Sequence, residues 1–262
     1  MMASDAGFLD LSGGQIEYQR FGARPADGPT IVLLHEGLGC VALWKDFPAR
    51  LARATGLGVF VYSRFGYGRS SPITLPRPVS YMHVEAQDVL PELLEAIGFR
   101  GGFLFGHSDG GSIAAIYAGS HADDRLKGVV LMAPHFFNEP MNVEAITRAT
   151  HAYERGGLKA GLEKYHGANT DCAFYGWSGA WLRPDFLDWN LEAFLPTISV
   201  PMLLIQGKGD EYGSLDHIRA AEAQAGGPVE TLILEDCGHS PQRDRPENVL
   251  AKVSEFTGSL SA

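Results

Sequence analysis

Cysteine is scarce in this 262-residue chain: Cys40, Cys172 and Cys237 are the only three, and none falls in a CxxC or Cys/His spacing. Neither a disulfide framework nor a zinc site is therefore expected to organise the fold, and the thiols read as buried or idle. Positive charge is also in deficit. Lys and Arg number 21 against 31 Asp and Glu, a formal net charge of -10, and such a field repels phosphate backbones and anionic lipid surfaces. Nucleic acid and membrane are excluded as expected partners. No apolar run reaches the length of a span, and the opening MMASDAGFLDLSGGQ lacks the basic and apolar segments of a secretory signal. A cytoplasmic location is the expectation. Repeats, heptads and low-complexity tracts are missing too, while 45% hydrophobic and 20% charged residues suit a compact, core-burying protein.

What is present alternates. Residues 8–11 and 15–22 flank a Ser-Gly-Gly turn and read as an antiparallel hairpin. TIVLL at 30–34 is continuously apolar, as a strand buried on both faces must be. A helix over 42–54 and a strand in GLGVFVYSR complete a β-α-β unit, and the pattern repeats through a helix over 84–98, a strand GFLFGH, a helix from Gly111 and a strand LKGVVLMAP. After an aromatic-rich, helical stretch from His135 to about Pro196 it resumes with VPMLLIQG, a helix from Leu215 to about Ala225, VETLILED and a last helix after Pro246. The expected fold class is α/β, a doubly wound and mostly parallel sheet. Residues 1–134 and 197–262 form its core, and 135–196 are a helical cap inserted in it.

The strongest chemical signal is Gly106-His107-Ser108-Asp109-Gly110-Gly111, a G-x-S-x-G set between an apolar strand and a small-residue helix. In that context the serine sits on a sharp, strained turn, and glycines flank it where strand and helix approach. The turn also aims the first N–H groups of the helix at the reaction centre. Asp109 N–H is one expected oxyanion donor, and Gly37, in His35-Glu36-Gly37-Leu38-Gly39, is the second, with Leu38 as the fallback.

A serine hydroxyl needs a base, and the base needs an orienting acid. Asp210 follows the strand 200–206 on a Gly-x-x-Asp turn. That turn places it nearer the strand end than its neighbour and rival Glu211. His239, on a Gly-flanked loop after the last strand, is the expected base. His35 reads as a brace for the oxyanion loop, and His107 as pointing away from the site. Glu36 is open to two readings, a solvated loop carboxylate or a group that meets a polar part of the substrate. His135, His151 and His166 are the histidines that a cap could bring to the pocket, and Trp177 and Trp181 are its candidate apolar lining.

Strand order, nucleophile elbow, late aspartate and final histidine together resemble the α/β-hydrolase superfamily over nearly the whole chain. The resemblance implies an eight-stranded sheet, a helical cap after the sixth strand, and a Ser108–His239–Asp210 mechanism with no cofactor and no metal. Tyr62 to Ser70 resembles the family's Gly-x-Gly-x-Ser loop, which shapes the sheet edge without a catalytic role. The sequence departs from the family at Asp109 and Glu36, which put carboxylates on both sides of the expected oxyanion hole. Within the superfamily, haloalkane dehalogenases and epoxide hydrolases require an aspartate at the elbow, so Ser108 argues against both. The leading expectation is hydrolysis of a small apolar or aromatic ester or lactone. Carbon-carbon bond cleavage, proline-iminopeptidase-like amide cleavage and a ligand-binding receptor with little turnover are the alternatives.

Overall fold

The computed structural model describes residues 4–260. Eight strands form one sheet among the described residues: β1 (Ser4–Leu11), β2 (Gly14–Phe21), β3 (Thr30–Leu34), β4 (Gly58–Tyr62), β5 (Gly102–His107), β6 (Leu126–Met132), β7 (Met202–Gly207) and β8 (Val229–Leu234). Their spatial order is β1-β2-β4-β3-β5-β6-β7-β8. The opening hairpin and the β2–β4 pair are antiparallel, and every later pair is parallel. The helices are α1 (Phe47–Thr55), α2 (Tyr81–Val84), α3 (Leu90–Ala96), α4 (Asp109–Ser120), α5 (Pro140–Glu154), α6 (Gly157–His166), α7 (Thr170–Trp181), α8 (Asp216–Gln224), α9 (Pro241–Asp244) and α10 (Pro246–Ser259).

The continuously apolar strands have a simple cause. In β3, Val32 and Leu34 join one core cluster while Ile31 and Leu33 join the other, on the opposite face. With side chains alternating at period two, a sheet covered on both sides needs apolar residues at every position. One face packs on α1 and α10 through Leu51, Ala52, Val253 and Phe256. The other packs on α3, α4 and α8, and its cluster runs on into Phe174, Trp177 and Trp181 of α7. The segment between β6 and β7 therefore shares one apolar core with the sheet.

Of two expected helices, one is broken ahead of its proline and the other runs on through its proline with a wider turn before it. The helix expected over 42–54 is a short 3-10 turn at Val41–Trp44, then Lys45 at φ 56°, then α1 with Pro48 in its first turn. Proline has no N–H to donate, so a helix begins at it more readily than it passes through it. The helix expected over 84–98 is α2, a π-turn at Glu85–Val89, and α3 with Pro91 in its first turn. The chain stays helical, and in the wider turn just before Pro91, which has no N–H to give, the Leu90 N–H donates to Glu85 O.

The crossing from β5 to α4 is the tightest point of the fold. A Cβ on Gly110 would lie 2.1 Å from the carbonyl oxygen of Leu34, and one on Gly106 would lie 2.0 Å from that of Gly110. The helix can approach β3 and β5 this closely only because both side chains are absent. Residues Asp109 to Ala118 of α4 are all buried, which fits a helix with no polar face.

Glycine substitutions at two sites are expected to have opposite signs. Gly110→Ala destabilises by roughly 3 kcal/mol or more, because backbone rather than a movable side chain is in the way. Gly161→Ala, in α6 with nothing within 4 Å of the added methyl, stabilises by about 0.5–1 kcal/mol. Urea unfolding of the two variants checks both signs.

Candidate active site

Ser108 connects β5 to α4 at φ 52° and ψ -118°. For a residue with a Cβ this backbone is strained by about 1–3 kcal/mol. The surrounding close packing enforces it, and the Ser108 N–H is held by Met132 O at 2.9 Å. The hydroxyl lies 2.9 Å from His239 Nε2. On the far side of that ring, Nδ1–H faces both carboxylate oxygens of Asp210, at 2.9 and 2.8 Å. With that N–H fixed, Nε2 is left as the acceptor for the serine proton.

Asp210 is itself held. Its Oδ1 accepts the Tyr212 N–H at 2.8 Å and the Gly213 N–H at 3.3 Å, and its Oδ2 accepts Gln206 Nε2 at 2.7 Å. Burial works against its charge, but His239 and the Tyr212 N–H outweigh that and lower its pKa. For His239 burial likewise opposes the charged form, and the charge and hydrogen bond of Asp210 reverse the balance, so its pKa rises. Glu211, the rival carboxylate, is exposed.

The other expected residues separate into lining and bracing. Glu36, Gly37, Leu38, Asp109, His135, Trp177 and Trp181 all line one cavity of about 90 Å³ with Ser108 and His239. Asn142, Ile146 and Tyr212 complete it, and sequence reasoning missed all three. His35 takes no part in the wall: Nδ1–H donates to Glu36 O at 2.7 Å, and Nε2 accepts the Arg64 N–H at 3.0 Å. His151 is exposed on α5. His166 bridges two loops, accepting the Gly68 N–H and donating to Leu38 O, each at 2.9 Å.

The side chain of Asp109, whose effect the sequence left open, is engaged inward. Its carboxylate does not stand free beside the oxyanion position. It accepts Tyr81 OH at 2.6 Å and Trp181 Nε1 at 3.3 Å, and lies 3.6 Å from Arg64 Nη2. Arg64 is fully buried and also donates to His35 O at 3.3 Å and Glu36 O at 3.0 Å. It thereby joins the loop after β3 to the start of α4. The loop from Tyr62 to Ser70 does more than shape a sheet edge, because this arginine is part of it. The one available signal was a charged side chain two residues past the end of a buried strand.

Glu36 meets His107, whose Nδ1 is 3.6 Å from its Oε2. Burial pushes the Glu36 carboxyl up, the His107 contact pulls it down, and the result is about 2. His107 is not idle: its Nε2–H donates to His239 O at 2.6 Å, fastening the loop that carries His239. No helix among the described residues is long and apolar enough to cross a membrane.

With this geometry in view, the relatives can be placed. A family model described as the alpha/beta hydrolase family matches residues 31–252, and the chain belongs to that family. It is 23% identical to epoxide hydrolase 3 of Xenopus tropicalis over 95% of this chain and 77% of that one. To epoxide hydrolase A of Mycobacterium tuberculosis (strain ATCC 25618 / H37Rv) it is 33% identical, over 38% of this chain and only 31% of that relative's length. Among solved structures, the enol-lactonase from Burkholderia xenovorans LB400 superposes with a TM-score of 0.72 at 22% identity, covering 95% of this chain and 99% of the other.

The Asp210–His239 pairing has a spectroscopic consequence. In NMR titration His239 is expected to titrate above the ordinary histidine value of 6.5, since the buried anion stabilises its charged form. Asp210→Asn removes that anion and should move the titration down, leaving burial unopposed. A titration unmoved by the substitution would contradict the electrostatic assignment.

Proposed function

We propose that this protein is a serine hydrolase that cleaves a small ester or lactone through an acyl-enzyme, with Ser108 as nucleophile, His239 as general base and Asp210 as the orienting acid. The observation that carries the reading is the unbroken hydrogen-bond chain from Ser108 Oγ through His239 to Asp210, 2.9 Å and then 2.8 Å, opening on a cavity.

In the proposed cycle the Ser108 oxygen attacks the carbonyl carbon as its proton passes to His239 Nε2. The backbone N–H groups of Gly37 and Asp109 receive the developing oxyanion, with the α4 macrodipole behind the second. Collapse of the tetrahedral intermediate breaks the bond to the leaving oxygen, which takes the proton from His239. A water, deprotonated by the same histidine, then attacks the acyl-enzyme and regenerates Ser108.

Serine chemistry favours this over the reaction named for the epoxide hydrolase relatives. A carboxylate that opens an epoxide forms an ester, which water cleaves. A serine would form an ether and be lost to further turnover. The iminopeptidase-like reading needs a carboxylate for the substrate amine: Asp109 is already engaged by Arg64, Tyr81 and Trp181, so that role would fall to Glu36 in the cavity wall, whose own neighbour is His107 at 3.6 Å. At about 90 Å³ the cavity is small beside the 300–1,000 Å³ typical of ligand pockets, which supports a short acyl group.

A fluorophosphonate is expected to label the wild type stoichiometrically and Ser108→Ala not at all. p-Nitrophenyl acetate and butyrate should turn over at least tenfold faster than the octanoate. The same rates should fall by about 10⁴-fold or more in Ser108→Ala. A folded wild type that is neither labelled nor active on any of the three esters would overturn the reading in favour of a ligand-binding role.

A further inference from the structure

Within the cavity wall, two side chains share one partner. His135 Nε2 and Asn142 Nδ2 both lie against the backbone carbonyl oxygen of Tyr212, at 3.1 and 3.2 Å. A carbonyl only accepts, so both nitrogens must be donors there, and its two lone pairs are then used up. The contact fixes the amide orientation of Asn142 and the tautomer of His135. What remains on each is an acceptor, Asn142 Oδ1 and His135 Nδ1, and neither has a hydrogen-bond partner. The two residues are 1% and 2% exposed. Burial, reinforced by the neighbouring His217 and His239, holds the His135 pKa at about 3, so the ring is neutral at ordinary pH and Nδ1 keeps its lone pair.

Buried polar atoms are nearly always satisfied, and each exception asks for a partner. Both of these belong to side chains lining the cavity that Ser108 opens into, beside the apolar Leu38, Ile146, Trp177 and Trp181. The shared anchor is also tied to the triad geometry, because Tyr212 N–H donates to Asp210 Oδ1 at 2.8 Å. The residue whose carbonyl orients both side chains is thus the one whose N–H also holds Asp210.

We propose that His135 and Asn142 are specificity residues that receive a hydroxyl on the acyl group of the substrate, making the preferred substrate a short hydroxyacyl ester or lactone rather than a purely apolar one. This deepens the serine-hydrolase reading and rests on it. A neutral hydroxyl suits two neutral acceptors, whereas an ammonium would be drawn to the Glu36 carboxylate elsewhere in the wall.

The test compares phenyl butanoate with both enantiomers of phenyl 2- and 3-hydroxybutanoate and with phenyl 3-aminobutanoate, on wild-type protein. At least one hydroxy ester should exceed the unsubstituted ester by about tenfold or more in kcat/KM, since a site built around a substrate hydroxyl rejects the analogue that lacks it. In Asn142→Leu and His135→Phe the advantage, read within each variant as the ratio of kcat/KM for the hydroxy ester to that for the unsubstituted ester, should shrink below about threefold. Equal rates for all hydroxy and unsubstituted esters, or preference for the amino ester, would overturn the proposal and leave the hydrolase reading intact. If no ester turns over, that reading falls, and a binding arm still judges this one. Ligand-observed NMR on Ser108→Ala should show a hydroxybutanamide binding more tightly than butanamide, and equal affinities would refute it.

Discussion

The approach of α4 to the sheet is the constraint from which the site follows. A methyl on Gly110 would lie 2.1 Å from Leu34 O, so helix and strand meet backbone to backbone. Between them the chain has one residue in which to turn, and Ser108 takes a conformation that residues with a Cβ rarely adopt. That strain aims its hydroxyl out of the sheet's carboxyl edge, where ligands bind in open α/β folds. The loops after β7 and β8 end at the same edge, and they bring Asp210 and His239 to it in turn.

Around this junction the protein keeps charge in the interior. Arg64 and Asp109 are both buried and 3.6 Å apart, and Arg77 and Glu85, 2.7 Å apart, lie close behind. Taking such pairs out of water is costly, and they are weak evidence for stability. What they supply is position. Arg64 reaches the carbonyls of His35 and Glu36 as well as the carboxylate of Asp109, so the two segments proposed to form the oxyanion hole are fastened through one guanidinium. His166 and Asn169, from the segment between β6 and β7, tie in the neighbouring loop, the first joining Gly68 to Leu38 and the second donating from Nδ2 to Gly68 O and Ser70 O.

Much of the scaffold was legible in the sequence because its signals are local. Apolar runs of strand length between helical patterns gave the order of the elements, and the glycine-flanked serine between strand and helix marked the turn. The misreadings are also local in origin. Pro48 and Pro91 sit inside otherwise helical patterns, and apolar spacing alone hid the break at Lys45 ahead of the first and the wide turn ahead of the second. Asn142, Ile146 and Tyr212 went unnoticed because nothing in their neighbours distinguishes a pocket residue from a packed one.

By itself, then, the sequence determined the alternation of strands and helices, the strained serine and the chain order of serine, acid and histidine, since backbone preference and side-chain periodicity act over a few residues. Only the tertiary structure decided which of two adjacent carboxylates faces His239, because Asp210 and Glu211 are one residue apart in the chain yet one is buried and the other exposed. It also decided where the Asp109 carboxylate goes, and that His135 and Asn142 meet the same carbonyl of Tyr212, 77 and 70 residues away. Those outcomes depend on distances and burial between remote segments, which no short stretch of chain encodes.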